Sequence, residues 1–421
     1  MTLNLILGAL ALLSLALTLW QWLAGRRFPL HQRLAAPSSP PGPSTLRSQA
    51  PLTLLKPLKG SDPATEDSLR SWFAQQYAGP VQILFGVADA ADPVCAIVRK
   101  LLGEFPGCDA QLVVCGPPLG ANAKVSQLAQ LEQRAKHELL VISDADVRVP
   151  PDLLPNLVAP LGEGLLSKPD VRACGLVCCF YHLANPATLA MRWEVIAINA
   201  DFWSQVLQSQ SLKPLDFALG AVMATRRKQL EEVGGFQALA DCLADDYQLG
   251  NRLARRGYRI ALCPVVVECW SAPMSWREVW KHQLRWARTI RVCQPVPYFF
   301  SLLSNATLWP LLWLAVKPPP PVLGLALGCW LVRILIALNL QDRLGQNPNP
   351  GGRASPRAQT APEAGARDGR APWHYAWLIP VKDLLQAVIW LLAFLGNRVE
   401  WRGERMRLRR DGTLERLTVA G

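Results

Sequence analysis

The stretch that most restricts the fold is 138–146, Glu-Leu-Leu-Val-Ile-Ser-Asp-Ala-Asp. Strand-favouring residues 139–143 run directly into Asp144 and Asp146, which are separated by one alanine. Side chains alternate along a strand, so both carboxylates fall on one side just where the strand ends. In open α/β sheets, ligands bind outside that carboxyl end. Two carboxylates there form a hard-oxygen site of the kind Mg2+ or Mn2+ shares with substrate phosphates. A polar turn after a core strand would use the same residues, so the rest of the chain has to decide.

Upstream, strands and helices alternate. Residues 52–60 read as a short strand stopped by Pro57 and Gly60, followed by a helix over 66–76 carrying Leu69, Trp72 and Phe73 on one side. A strand at 81–87 ends in Asp89 and Asp92-Pro93; a helix over 96–105 leads to a strand at 111–115. A glycine turn with Asn122 and Lys124 then opens a helix over 125–134. That order implies an α/β domain with a mostly parallel sheet and right-handed crossovers. Downstream, a strand at 171–180, a helix over 188–208 and an apolar strand at 217–225 containing Gly220 precede Gly234-Gly235-Phe236. Asp245-Asp246 then opens a helix that stops near Arg256-Gly257.

The flanks belong to a membrane protein. Residues 1–25 form an uncleaved transmembrane anchor: the apolar run 3–23 has no basic residue before it, and Arg26, Arg27 and Arg33 follow. By the positive-inside rule those arginines place the following chain in the cytoplasm, at the inner membrane of a bacterium. Residues 26–51 are a Pro- and Ser-rich linker, 52–274 the globular domain, and 275–297 an amphipathic interfacial helix opened by the capping-box spacing Ser275–Glu278. Residues 298–340 supply two transmembrane helices, 341–372 a disordered loop, 373–396 a transmembrane or interfacial segment interrupted by Lys382 and Asp383, and 397–421 a basic tail. If every apolar segment crosses, that tail ends outside, against its charge.

The net charge of +12 could suit nucleic acid, but the basic residues cluster beside apolar segments rather than among aromatics and glycines. Sixteen Trp and a half-hydrophobic composition favour an anionic membrane surface over nucleic acid. The 11 cysteines include no Cys-x-x-Cys, which excludes a zinc or disulfide framework and suits reduced thiols.

Several motifs occur in the order seen in ceramide glucosyltransferases. They are Lys56-Pro57-Leu58-Lys59-Gly60, Asp92-Pro93, Asn122-x-Lys124-Val125, Asp144-x-Asp146, Gly234-Gly235-Phe236, Asp245-Asp246 and Lys281-His282-Gln283-Leu284-Arg285-Trp286. The chain thus resembles the membrane-bound glycosyltransferases with the nucleotide-diphosphosugar (GT-A) fold over about residues 50–340. Gly396-Asn397-Arg398-Val399-Glu400-Trp401 further resembles the tail of bacterial members, including hopanoid-associated ones.

The resemblance implies a metal-dependent, inverting transfer of a hexose, glucose first, from a UDP-sugar to a ceramide-like lipid hydroxyl. UDP-N-acetylglucosamine to a hopanoid polyol and glucose to diacylglycerol are the alternatives within the class. A polysaccharide synthase and a non-catalytic membrane scaffold stand further off. Asp89, Asp92, Lys59 and Gly60 would hold the nucleoside, and Lys124 the diphosphate. Asp144 and Asp146 would hold the metal, with Asp144 also at the donor. Asp246 would be the base; Arg285 would stabilise charge on the diphosphate and Trp286 would shape the acceptor site. His282 stands where the family has Gln or Arg, and as a donor-site residue it offers one donor when neutral.

Overall fold

The computed structural model describes residues 2–34, 50–162, 172–316, 320–346, 373–401 and 404–417. Most of the expected linker 26–51 and of the expected disordered loop 341–372 lies outside the described residues.

Strands β1 (Leu52–Pro57), β2 (Val81–Val87), β3 (Asp109–Val114) and β4 (Leu139–Ser143) pair in parallel in the order β3-β2-β1-β4. The chain therefore winds outward from β1 and then returns to its other side, so the crevice between the carboxyl ends of β1 and β4 lies where strand order reverses. The crossovers carry α1's successors in sequence: with α1 as Thr2–Arg27, they contain α2 (Thr65–Phe73), α3 (Val94–Glu104) and α4 (Ala123–Glu132). Alternate strand residues feed two cores. Leu55, Leu84, Leu140 and Ile142 pack with Val125 and Leu128 of α4, whereas Leu54, Phe85, Leu139 and Val141 pack with Leu69, Trp72 and Val98. With both faces covered, β4 has no polar face, which is why it reads as an unbroken apolar run.

β5 (Val147–Arg148), β6 (Cys174–Leu183), β7 (Val222–Arg226) and β8 (Arg259–Cys269) complete an eight-stranded sheet, β3-β2-β1-β4-β7-β6-β8-β5. β7 runs antiparallel to β4 and β6, and β5 antiparallel to β8, so the sheet is mixed in the GT-A manner. α5 (Leu153–Gly162) follows β5. The expected helix over 188–208 forms as α6 (Leu189–Ile196), a π-helical stretch (Ala197–Phe202) and α7 (Trp203–Leu212). α8 (Arg227–Glu232), α9 (Asp245–Arg255) and α10 (Trp276–Cys293) follow, and Ser275 and Glu278 cap α10 reciprocally as their spacing predicts.

Two helices, Thr2–Arg27 and Val322–Gly345, are long and apolar enough to cross a membrane. Leu5, Leu12, Leu327 and Leu331 are exposed on them, as suits helices that face lipid. The expected span within 298–316 is corrected. It breaks into α11 (Pro295–Phe300), a 3-10 turn (Ser301–Ser304) and α12 (Leu308–Ala315). The Ser301 and Ser304 hydroxyls bond back to carbonyls, and Asn305 Oδ1 accepts from Leu308 N at 2.9 Å, so the chain turns where hydropathy alone suggests continuity.

α13 (Pro320–Gly345) and α14 (Leu378–Phe394) explain the charges in the last apolar segment. Arg333 donates to Asp383 at 2.9 and 2.8 Å and to Asp201 at 3.0 Å; Lys382 also pairs with Asp201. Two buried cations facing two buried carboxylates leave no net charge to desolvate, and they tie both helices to the π-helical stretch.

The basic tail folds as a small antiparallel sheet of β9 (Arg398–Trp401), β10 (Glu404–Leu408) and β11 (Leu414–Arg416). Val399, Met406, Leu408 and Leu414 bury against Leu243, and Leu414 N donates to Asp241 O at 2.7 Å, so the tail is seated just before α9.

Candidate active site

The ends of β1 and β2 meet first. Gly60 has φ +70°, a conformation glycine adopts without strain, and its N–H donates to both oxygens of Asp92 at 3.1 and 2.9 Å. Asp92 also accepts from Val94 N at 3.0 Å, so one carboxylate joins the β1 loop to the start of α3. Asp89 accepts from Ala91 N in the same turn, and Lys59 is exposed beside it. The expected nucleoside residues are therefore together.

The second group lies at the end of β4. Lys124, almost fully buried, bridges Asp144 at 2.7 Å and Asp245 at 3.1 Å. Burial opposes its charge, but the two carboxylates outweigh burial and hold the amine well above the ordinary lysine value. Asp146 lies two residues beyond Asp144, past the end of β4. The surrounding protein, and then the Asp144 charge, push its carboxyl up to about 6. A divalent cation would relieve that repulsion. Among the described residues no group of three or more His, Cys, Asp and Glu converges, so the protein offers two carboxylates and substrate phosphates would complete the shell.

Asp246, at the first turn of α9, accepts from its neighbour Tyr247 N at 2.7 Å and enters no ion pair among the described residues. Burial, and then the Asp245 charge, push its carboxyl up to about 7, with Lys124 opposing. A Cβ on Gly220 would lie 2.7 Å from Asp246 Oδ2, so only glycine leaves that carboxylate its position. Gly220→Ala is expected to lower transfer about a hundredfold, the loss an ångström-scale misplacement produces, with the melting temperature nearly unchanged. Wild-type rates in that variant would mean the carboxylate position does not matter.

α10 supplies the third group. The Tyr181 ring is 5.8 Å from Phe202, and Phe202 is 5.8 Å from Trp286, an aromatic wall running from β6 to α10. Burial, and to a lesser degree the charges of Cys269, Asp246, Asp144 and Glu194, raise the Tyr181 hydroxyl well above its ordinary value. Tyr247 Oη donates to Cys293 O at 2.8 Å and fixes α9 to α10. Arg285 sits one residue before Trp286 on α10. His282 packs edge-on against Trp286 at 5.0 Å, and its Nδ1 donates to Glu194 Oε1 at 2.6 Å.

Two participants escaped the sequence reading. Glu194, fully buried, also accepts from Gln283 Nε2 at 2.8 Å; nothing local in 188–208 marks it. Lys56, also fully buried, donates to Ser143 Oγ at 3.2 Å and Asp144 O at 2.5 Å. It holds the end of β4 in place. Burial lowers its amine to about 7 against the pull of Asp146 and Asp144. Its signal was present, since a lysine within an otherwise apolar strand needs an internal partner.

The sequence matches the family model described as Glycosyl transferase family 21 over residues 6–414. It is 24% identical over 213 residues to ceramide glucosyltransferase 1 of Caenorhabditis elegans, covering 50% of this chain and 43% of that one. It is 34% identical over 125 residues to the ceramide glucosyltransferase of Candida albicans, covering 27% of this chain and 23% of that one. The chain thus spans less than half the length of either relative. Among solved structures, a mannosyltransferase from Pyrobaculum calidifontis in complex with GDP-Man and Mn2+ covers 82% of this chain and 96% of its own, at 20% identity and a TM-score of 0.48.

Proposed function

This chain belongs to glycosyl transferase family 21, and from that premise we propose that it transfers a hexose, glucose first, from a UDP-sugar to the hydroxyl of a ceramide-like lipid at the cytoplasmic face of a membrane. The observation that carries the reading is Asp246: a carboxylate without an ion pair, tuned to about 7, next to the Lys124-bridged carboxylates at the reversal of strand order. A general base works best with a pKa near the operating pH.

Asp89, Asp92 and the Lys59–Gly60 loop receive the uridine. Asp144 and Asp146 would hold Mg2+ or Mn2+, which would supply Lewis-acid neutralisation of the diphosphate. Lys124, now bridging Asp144 and Asp245, can turn one contact over to a phosphate. Asp246 takes the proton of the lipid hydroxyl as its oxygen bonds to the anomeric carbon from the face opposite UDP. The bond from that carbon to the diphosphate oxygen breaks, and UDP leaves with the electron pair. An α-linked donor thereby gives a β-glycoside. Arg285 and His282 would stabilise the leaving charge, while Trp286, Phe202 and Tyr181 would shape the acceptor side. Arg26 and Arg27 at the end of α1 support a cytoplasmic domain through the positive-inside rule.

The test supplies the full chain in nanodiscs with UDP-glucose or UDP-N-acetylglucosamine and, in turn, ceramide, a hopanoid polyol or diacylglycerol. The expected product is β-glucosylceramide; a product with another sugar or lipid replaces the specificity, and no turnover together with no UDP binding favours a scaffold. The base also sets a pH profile. Because Asp246 must be ionised, kcat/KM should rise with pH and level off above about 7. Stability should move the other way. The native carboxyl holds its proton up to about 7 and the unfolded one only to about 4, so the native state binds more protons in that window and loses stability as pH rises through it. A flat rate profile from pH about 5 to 8 would remove Asp246 as the base.

A further inference from the structure

An open cavity of about 740 Å³ lies between α10, the end of α14 and the small C-terminal sheet, lined by Arg288, Arg398, Arg407, Phe394, Leu395 and Asn397. The carboxylates around it are engaged mainly by other cations, with Arg407 facing Glu415 across the strand pair and feeling its charge. Glu400 is taken by Lys281, Glu404 by Arg416 and Glu415 by Arg409. Among the described residues no salt bridge reaches Arg288, Arg291, Arg398 or Arg407. Arg288 instead donates to the Arg398 carbonyl, and Arg291 to Asn397 Oδ1 while lying 5.8 Å over the Phe394 ring. The Nε atoms of both Arg288 and Arg291 are buried without a hydrogen-bond partner. Burial, and then the neighbouring Arg291 charge, lower the Arg288 guanidinium below its ordinary value, as expected where cations crowd together without an anion.

One edge of the cavity is apolar. Phe394 packs with Tyr298 at 5.6 Å and Trp390 at 5.0 Å, and next to it Phe299, Leu391 and Leu395 are exposed. Aromatic side chains at the end of an apolar helix, facing guanidinium groups, match the boundary between acyl chains and headgroups.

We propose that this cavity binds the phosphate of an anionic membrane lipid, with the arginines on the phosphate and Phe394 and Leu395 against the acyl chains. Arginine suits phosphate because its planar fork offers paired donors. The lining of this cavity shares no residue with the acidic cleft, and the proposal does not depend on the glycosyl-transfer reading. A lipid held there would tether the C-terminal sheet, and with it the start of α9, to the bilayer.

The test is native mass spectrometry of the full chain in neutral detergent, titrated with phosphatidylglycerol, phosphatidylcholine or inorganic phosphate. Phosphatidylglycerol is expected to be retained best, and the double variant Arg398→Gln, Arg407→Gln to weaken it more than about tenfold, since each basic residue near an anionic surface contributes roughly 1 kcal/mol. Arg407→Gln alone, whose backbone pairing in the sheet is untouched, guards against misfolding and should give a smaller loss in the same direction. Inorganic phosphate displacing the lipid at equal strength would assign a free phosphate as the ligand and overturn the lipid source. Displacement by UDP would assign the arginines to the donor and overturn the proposal, as would retention unchanged in both variants.

Discussion

Asp246→Asn is expected to lower lipid glycosylation about a thousandfold while UDP binding in the presence of Mn2+ stays near wild type. Asparagine keeps the size and the hydrogen bond to Tyr247 N but takes no proton, so the loss isolates base chemistry from shape. The competing account is that a carboxylate sits there only because a helix start favours negative charge. Removing such a charge costs about 0.3–1 kcal/mol of stability and leaves turnover intact. The adjacent Asp245 is the control. It is nearly buried and paired with Lys124, so Asp245→Asn should fall chiefly on stability and on the position of Lys124. Steady-state kinetics, UDP titration and thermal melting on both variants separate these roles.

Asp144→Asn is expected to weaken Mn2+-dependent UDP binding by at least about a hundredfold, since even residues that only orient a metal ligand cost 10- to 100-fold when removed. EDTA should reproduce the loss in the wild type, and added Mn2+ should restore it there but not in the variant. Asp144 also accepts from Lys124, so the substitution leaves that buried amine with Asp245 alone, and a modest fall in melting temperature should accompany the binding loss. Binding unchanged by either EDTA or the substitution would return Asp144 and Asp146 to a polar turn.

The first half of the domain is legible because its rule is simple. Strands buried on both faces read as apolar runs, helices between them show one apolar side, and the carboxylates stand at the strand ends where ligands bind. Gly60 and Asp92 consequently meet at the ends of β1 and β2, and Lys124 of α4 meets Asp144 at the end of β4. The second half depends on contacts between distant residues. Glu194 gains its place only when α6 meets α10, and no spacing within either helix encodes that. The break at Ser301–Ser304 was hidden because hydropathy counts apolar residues but not the hydroxyl and amide groups that turn the chain. Lys382 and Asp383 looked like an interruption until Arg333 and Asp201 closed the charge balance from other helices.

The C-terminal sheet did carry signals. Met406 and Leu408 alternate with arginines, and Asp411-Gly412 is a hairpin dipeptide, with Gly412 at φ +86°. The density of arginine hid that alternation behind a reading of charge alone. Its position against Leu243 and Asp241, just before the Asp245–Asp246 pair, shows why a tail remote in sequence belongs to the site's surroundings.

The most direct measurement is incorporation of label from radioactive UDP-glucose into ceramide by the full chain in nanodiscs, with Mn2+ and with EDTA, for the wild type and Asp246→Asn. The account predicts a labelled lipid in the wild type with Mn2+ that EDTA abolishes and Asp246→Asn does not form. Labelled lipid of equal amount with EDTA, or with Asp246→Asn, would contradict it.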